Sequence, residues 1–365
     1  MSGLLDRLGV TLLFRFDPET AHRMAIRALA LDVHGRAAPP DPILSTSVLG
    51  LDFPSPIGLA AGFDKNAEAV GGLLKLGFGF VEVGTVTPLA QLGNPKPRMF
   101  RLERDRAIVN RLGFNNDGAE TVARRLGRRA GDAGIVGVNI GANRDSADRI
   151  ADYVAGVDRF ARIASYLALN VSSPNTAGLR GLQKPDALAE LLGRAVAARD
   201  EATNGLPRPT PLLLKIAPDL DERALEDIVL TVQASGIDGM IVSNTTVSRA
   251  GLAADRHSTE SGGLSGPPLF RRSTIVLAKV RRLAGPGLPL IGVGGVETAA
   301  DALAKVAAGA NLVQVYTGMI YRGQGIAAAI ARDLAARLRA AGFRSIGDAV
   351  GTDNARWSAP DLPPG

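Results

Sequence analysis

From about residue 55 onward one pattern recurs: a short apolar run, a polar loop, a helical stretch, then a glycine before the next apolar run. The runs are Ile57–Ala60, Phe80–Val83, Ile135–Ile140, Leu167–Val171, Leu212–Ile216, Met240–Val242, Leu290–Val293 and Leu312–Tyr316. Each is too short for a helix and reads as a strand buried on both faces, the mark of parallel sheet. Helix ends fall between them. Asp117 with Glu120 reads as a capping box, Thr298 precedes a helix over 299–308, and Gly77, Gly131, Gly236 and Gly309 stand where C-terminal glycines belong. Strand signals alternating with helices in this number predict an α/β fold, a (β/α)8 TIM barrel over residues 41–346. A doubly wound open sheet is the structural alternative, since the pattern does not reveal whether the last strand pairs with the first.

Two excursions interrupt the alternation. Residues 85–115 contain a hairpin, Arg98–Leu102 with Ala107–Asn110, turning at Glu103–Asp105, and residues 244–266 form an insert rich in Gly and Ser. In a barrel both follow strand C-termini and overhang the mouth. Residues 1–40 lie outside the repeat and predict a two-helix extension. Leu4, Leu5, Leu8 and Leu12 mark one stripe; after Asp17–Pro18 a second helix carries Ala21, Met24, Ala25, Ala28 and Leu31 on one face, and Arg23 and Arg27 on another. The pattern alone admits two readings, an α-hairpin packed on the barrel or an interfacial pair dipping into a bilayer, and favours the first. Residues 347–365, with three prolines and the only Trp, are expected to be a flexible tail.

Composition excludes several chemistries. There is no Cys, so disulfides, thiolate nucleophiles and Cys-ligated metals are ruled out. Only His22, His34 and His257 are present, which disfavours a multi-His metal site or a Ser–His triad. The balance of 42 basic and 36 acidic residues, net +6, has no block of like charge and implies only a mild pull toward anionic partners. The longest uncharged run, 163–179, contains Ser, Asn, Thr, Pro and Gly, whereas a membrane span needs about 20 mainly apolar residues. The first residues resemble neither a signal peptide nor an organelle leader. An intracellular bacterial protein is the simplest expectation.

The strand C-termini carry a consistent chemistry: Ala61-Gly62-Phe63-Asp64-Lys65-Asn66, Gly84-Thr85, Asn139, Asn170 to Asn175, Lys215, Ser243-Asn244-Thr245, Gly294-Gly295 and Tyr316-Thr317-Gly318. No paired carboxylates occur there, which argues against glycosidase or divalent-metal chemistry. Gly292-x-Gly294-Gly295 and Thr317-Gly318 fit the recurrent barrel phosphate site, helped by the helix N-terminus near Thr298. Asn110, Asn139, Asn170, Asn175 and Asn244 offer paired donors and acceptors suited to a flat heterocycle with alternating C=O and N–H groups, although some Asn at strand ends serve only as caps. Lys65 can hold a carboxylate, and Lys215 can favour an anionic reduced ring. Ser173, with no His or carboxylate in its motif, is no ordinary hydrolase nucleophile. Pro174 and the run 176–181 read as a mobile lid. A phosphate-bearing planar cofactor beside a small anionic heterocycle makes redox chemistry more plausible than hydrolysis.

Three motifs then carry a family resemblance: Ala60-Ala-Gly-Phe-Asp-Lys65-Asn66, Asn110-Arg-Leu-Gly-Phe114-Asn115, and Asn170-Val-Ser-Ser-Pro-Asn-Thr176-x-Gly-Leu-Arg180. They resemble the class 2, quinone-dependent dihydroorotate dehydrogenases, FMN enzymes of pyrimidine biosynthesis, and the similarity covers nearly the whole chain. The resemblance implies FMN contacts at Ala61, Gly62, Lys65, Thr85, Asn139, Asn170, Lys215, Ser243, Gly266, Gly295, Tyr316 and Thr317. It implies substrate contacts at Lys65, Asn110, Arg111, Leu112, Gly113, Phe114, Asn170, Asn175, Asn244 and Thr245. Ser173 becomes the general base for C5 of dihydroorotate; the related soluble class uses Cys there, which this chain lacks. The N-terminal helices resemble the family's membrane-docking and quinone-entry element, with His22 and Arg101 on the quinone path, and this reverses the preference for simple packing. Ser243 departs from the Thr of some relatives but keeps the hydroxyl. The expectation is a peripheral protein on the cytoplasmic side of a bacterial inner membrane, touching anionic lipid, with no metal, no nucleic acid and no obligate protein partner. Two rivals are a tRNA dihydrouridine synthase, which should carry a catalytic Cys and an RNA-binding domain, and a non-catalytic membrane scaffold, against which intact Lys65, Ser173 and Lys215 speak.

Overall fold

The computed structural model describes residues 9–362 apart from 177. After helical residues 9–13 come helix α1 (Pro18–Ala30) and a short antiparallel hairpin of β1 (Thr46–Val48) and β2 (Leu51–Phe53). The alternation begins with β3 (Ile57–Leu59), α2 (Val70–Lys75), β4 (Phe80–Val86), the hairpin strands β5 (Met99–Leu102) and β6 (Ala107–Asn110), and α3 (Ala119–Gly127). It continues through β7 (Ile135–Ile140), α4 (Arg149–Phe160), β8 (Tyr166–Asn170), α5 (Pro185–Ala202), β9 (Leu212–Ile216), α6 (Glu222–Ser235) and β10 (Gly239–Val242). Then follow β11 (Gly263–Ser265), α7 (Phe270–Ala284), β12 (Leu290–Val293), α8 (Ala299–Ala308), β13 (Leu312–Val315), α9 (Thr317–Arg322), α10 (Ile326–Ala340) and α11 (Asn354–Ser358). The parallel strands close in the order β3-β4-β7-β8-β9-β10-β12-β13, and β13 pairs back onto β3 at Val313–Ile57 and Val315–Leu59. Closure decides for the barrel over the open sheet.

Alternation along each strand sorts its side chains between two cores. Val81 and Val83 of β4, Leu167 and Leu169 of β8, and Leu212 and Leu214 of β9 join the apolar layer between sheet and helices. Phe80, Tyr166, Ala168, Leu213 and Leu312 pack inside the barrel with Phe53 of the β1–β2 hairpin, which plugs the floor. Phe53 meets Phe80 edge-on at 5.2 Å, and Phe80 meets Tyr166 at 6.3 Å. Glycine makes the room: a Cβ on Gly137 would lie 2.1 Å from the Tyr166 ring. Farther along the same strands the alternating positions turn polar, to Glu82, Asn139, Lys215 and Gln314, all buried. That switch builds a polar floor beneath the barrel mouth.

Several local expectations need correction. Asp117 does not cap α3: the N-cap is Gly118, without a side-chain bond, while Asp117 reaches Arg125 at 2.7 Å and Glu120 reaches Arg159 at 2.6 Å. Asn116 Oδ1 accepts the Gly118 N–H instead, at 2.9 Å. The insert 244–266 is not all loop, because β11 pairs antiparallel with β6 in a three-stranded sheet. The stretch 347–362 is no frayed tail. Asn354 Nδ2 donates to the carbonyls of Ala278 and Ala308 at 2.9 and 2.7 Å, Trp357 meets Phe270 edge-on at 6.1 Å, and Ser358 is buried.

Helix α1 begins with Pro18 after Asp17, whose carboxylate accepts from the Glu19 and Thr20 N–H groups at 3.0 and 3.1 Å. It buries Ile26 and Leu29 against the barrel. The expected single stripe divides: Ala21, Ala25 and Ala28 face a cavity, whereas Met24 and Leu31 are exposed. Arg23, on the other face, reaches Glu68 at 3.4 Å. Of the first stripe, Leu4, Leu5 and Leu8 lie outside the described residues, and Leu12 is exposed.

Candidate active site

A cavity of about 1020 Å³, counting its open mouth, occupies the C-terminal end of the barrel. Its wall includes every expected contact at strand ends and hairpin except Asn139 and Arg111. The amides form one connected set. Asn170 Nδ2 donates to Asn139 Oδ1 at 3.1 Å and Thr85 Oγ1 at 2.9 Å, and Asn244 Nδ2 donates to Asn170 Oδ1 at 3.2 Å. Asn175 Nδ2 donates to Asn110 Oδ1 at 3.3 Å, tying the lid segment to the β6 hairpin. Such mutual bonding fixes which edge of each amide remains for a ligand. Ser173 lies in this wall, buried, and its Oγ accepts the Asn175 N–H at 3.2 Å. That donation leaves the hydroxyl proton free and stabilises negative charge on Oγ.

Two lysines define the electrostatics. Lys215, inward at the end of β9, lies 3.9 Å from Glu82, and burial pulls its pKa down against the opposing pull of that carboxylate. Glu82 is fully buried and accepts from Asn139 Nδ2 at 2.8 Å, Tyr166 OH at 2.9 Å and Gln314 Nε2 at 2.7 Å. Lys65, on the loop after β3, is pulled down to about 8, mostly by burial, with Glu19 opposing and Arg98 assisting. Glu19 itself is held by Arg98 at 2.6 Å, so α1 is ion-paired to the arm that leads into β5.

At the opposite end, Gly294, Gly295 and Gly318 present bare backbone to the cavity. Gly295 has a left-handed φ of +74°, and a Cβ there would lie 2.5 Å from Phe270 Cβ, so only glycine fits. The α8 N-terminus is not available to a phosphate, contrary to expectation. Thr298 and Asp301 form a capping box, and Asp301 Oδ2 accepts the Glu297 and Thr298 N–H groups at 3.1 and 2.9 Å. The helix end at the cavity is instead α9, opening at Thr317, whose Oγ1 donates to Ser265 Oγ at 2.9 Å. The cavity suits FMN: it has this glycine cradle at one end, a lysine on the floor, and in Gln314 Oε1 a buried acceptor with no partner.

A second cavity of about 970 Å³ lies between residues 9–14, α1, β5 and α9. Its wall is mostly apolar, with Val10, Leu13, Phe14, Ala25, Ala28, Met99 and Ile108 beside His22 and Arg101. Arg101 Nη1 donates to the Phe16 carbonyl at 2.9 Å and its guanidinium lies 4.5 Å over the Phe14 ring, so it clasps the turn before α1. Burial, helped by the Lys65 charge, pulls His22 down to about 3. An aromatic seam divides the cavities: His22 meets Phe63 at 4.9 Å, and Phe63 meets Tyr316 at 6.0 Å.

Two expected contacts fall elsewhere. Asn139 is fully buried behind Thr85 and Asn170. The Arg111 guanidinium bonds Glu260 at 2.6 Å and lies over Phe100 at 4.6 Å, outside the cavity wall. Glu82, Gln314 and Ser265 were not anticipated. A charged Glu inside the run Phe80–Val83 is the signal that marks the first, since a charge on a doubly buried strand needs partners.

Comparison with known proteins follows the same lines. The family model for dihydroorotate dehydrogenase matches residues 43–338. A protein of Brucella ovis named dihydroorotate dehydrogenase (quinone) is 55% identical over 362 residues, covering 99% of this chain and all of its own length. The crystal structure of Eimeria tenella DHODH in complex with ferulenol superposes with a TM-score of 0.89 at 41% identity, over 92% of this chain and 96% of that one. The ligand-free form from the same organism gives 0.89 at 42% identity, over 92% and 99%.

Proposed function

The chain belongs to the dihydroorotate dehydrogenase family, and on that premise we propose that it oxidises dihydroorotate to orotate at the barrel mouth and passes the electrons to a quinone in the second cavity, serving pyrimidine synthesis. The observation that carries this reading is the pair of cavities, one amide-rich and one apolar, meeting at Phe63 and Tyr316. FMN, when bound, supplies the acceptor for the hydride leaving C6 of dihydroorotate.

The protein's own groups do the rest. The Lys65 ammonium holds the substrate carboxylate. Asn110, Asn175 and Asn244, with Asn170, hold the ring's alternating carbonyl and N–H groups, and the backbone at Leu112 to Phe114 closes the pocket from the hairpin side. Ser173 Oγ takes the C5 proton as its own hydroxyl proton passes to water at the open mouth, and the Asn175 N–H that it accepts stabilises the oxygen during the transfer. Lys215 sets positive charge beside the flavin ring, steadied by Glu82. Gly294, Gly295 and α9 receive the phosphate. In the second cavity His22, neutral near pH 7, and Arg101 line the quinone's approach.

No helix among the described residues is long and apolar enough to cross a membrane. Leu12, Phe16, Met24, Leu31 and Val33 are nonetheless exposed around α1, next to the apolar cavity. This face and Arg27 rest on an anionic lipid surface, the cytoplasmic side of a bacterial inner membrane, so that a lipid-dissolved quinone enters without crossing water. The testing experiment offers dihydroorotate with a long-tailed quinone, with fumarate and with NAD, recording the flavin spectrum. Turnover with quinone alone is expected; a colourless protein, or turnover with NAD or fumarate instead, contradicts the reading.

A further inference from the structure

Besides the half-buried Lys65 of the cavity wall, three lysines among the described residues are almost wholly shielded from solvent: Lys215, Lys279 and Lys305. The first two face carboxylates, Lys215 at 3.9 Å from Glu82 and Lys279 at 2.6 Å from Glu222. Lys305, fully buried on α8, has no carboxylate within ion-pair distance among the described residues. Its neighbour Asp301, one turn back, is engaged by the capping box of α8. A buried ammonium without a counter-charge is costly, and an apolar side chain of similar volume would serve packing better.

The location of Lys305 suggests what offsets the cost. Its Nζ donates to Ser273 Oγ at 2.6 Å and lies 5.1 Å from the centre of the Phe270 ring. Ser273 Oγ in turn lies 2.9 Å from the Leu269 carbonyl, 3.1 Å from that of Phe270 and 3.2 Å from that of Gly294, and Phe270 backs Gly295 directly. Lys305 therefore stands immediately behind the two glycines that line the phosphate end of the cavity. The α8 N-terminus cannot supply positive potential there, because the Asp301 carboxylate closes it.

We propose that Lys305 is a positioning residue for the cofactor's phosphate, acting through Ser273 on the Gly294–Gly295 cradle and supplying the positive charge that a phosphate dianion needs. The inference rests on the FMN reading above and adds a residue outside the cavity wall. Charge in a low-dielectric interior acts across such a distance with little screening. The ammonium and the phosphate thus compensate each other, which accounts for a lysine where methionine would pack.

FMN and riboflavin share the ring and differ at the phosphate, so their affinities separate this role from a structural one. The full-length protein, stripped of flavin, is titrated with each by fluorescence, in wild type, Lys305→Met and Ser273→Ala. Wild type should prefer FMN strongly. Lys305→Met should lose roughly tenfold or more in FMN affinity with riboflavin unchanged, and its apoprotein should melt no lower than wild type. Ser273→Ala, which removes the connecting hydroxyl, should show the same selective loss in smaller measure, about threefold, and it decides the matter should Lys305→Met not fold. An unchanged FMN-to-riboflavin ratio in the folded variants overturns the role of Lys305 while leaving the FMN reading intact. A wild-type protein that binds neither flavin overturns both.

Discussion

The two cavities share Phe63 and Tyr316 as a partition, yet they are built by opposite means. The barrel-mouth cavity is lined by strand ends, where alternation fixes which residue points inward and closed sheet hydrogen bonding fixes its height. Its polar groups hold one another: Glu82 alone accepts from Asn139, Tyr166 and Gln314. The second cavity is bounded by a helix tied on through a few ion pairs, Arg98–Glu19 and Arg23–Glu68 among them, and its small alanines leave space unfilled. A rigid site whose amides bond one another suits chemistry at defined atoms; a loosely packed apolar slot suits a flexible apolar molecule that enters and leaves.

The largest expected effect falls on the rigid side. Ser173→Ala should retain flavin and bind orotate, while flavin reduction by dihydroorotate slows by about 10²–10⁴-fold. Stopped-flow at wild-type speed would remove Ser173 from the chemistry. Next comes stability. Glu82→Ala leaves Lys215 unpaired and three donors without an acceptor, and should cost about 3–5 kcal/mol in denaturant unfolding. Ala28→Val, on the cavity side of α1, has room to expand into and should stay within about 1 kcal/mol. Equal costs for the two would erase the contrast.

Titration sharpens the comparison further. Lys65 is pulled down to about 8, so its charge is present below that pH and lost above it. Orotate affinity should therefore fall about tenfold per pH unit beyond 8, as the free enzyme loses the ammonium. A flat binding profile to pH 10 would take Lys65 out of carboxylate recognition. His22, at about 3, stays neutral across the neutral range. Flavin reoxidation by quinone should accordingly show no histidine ionisation between pH 5 and 8, the smallest effect expected; a step near 6.5 would place a charged imidazole on the quinone path.

The same contrast explains what was legible in the sequence. Doubly buried strands announce themselves as apolar runs, so all eight barrel strands and the residues at their ends, from Lys65 to Thr317, were readable. Glu82 and Gln314 lie within their strands, where no strand-end motif marks them. Residues 263–265 are too few to display any period, so β11 does not stand out from the insert that contains it. The Arg111 side chain leaves the cavity wall because Glu260 and Phe100 hold its guanidinium outside, a long-range pairing that the local motif does not display. The segment 347–362 looked like a tail because its docking rests on Asn354, Trp357 and Ser358, single contacts without periodicity. At α1 the apolar face was visible, but not its division between cavity and solvent, which depends on where the barrel lies.

The central claim is that the two cavities serve separate half-reactions joined by one flavin, and a plug in the second tests it most directly. Ala25→Phe places a ring into the apolar slot without touching the barrel-mouth wall. Both half-reactions are followed anaerobically by flavin absorbance: reduction by dihydroorotate, then reoxidation by a long-tailed quinone in vesicles. Reduction should proceed at the wild-type rate while quinone reoxidation slows by roughly tenfold or more, the mirror image of Ser173→Ala. Unchanged quinone reoxidation in the plugged protein, or equal slowing of both halves, would contradict the division of labour.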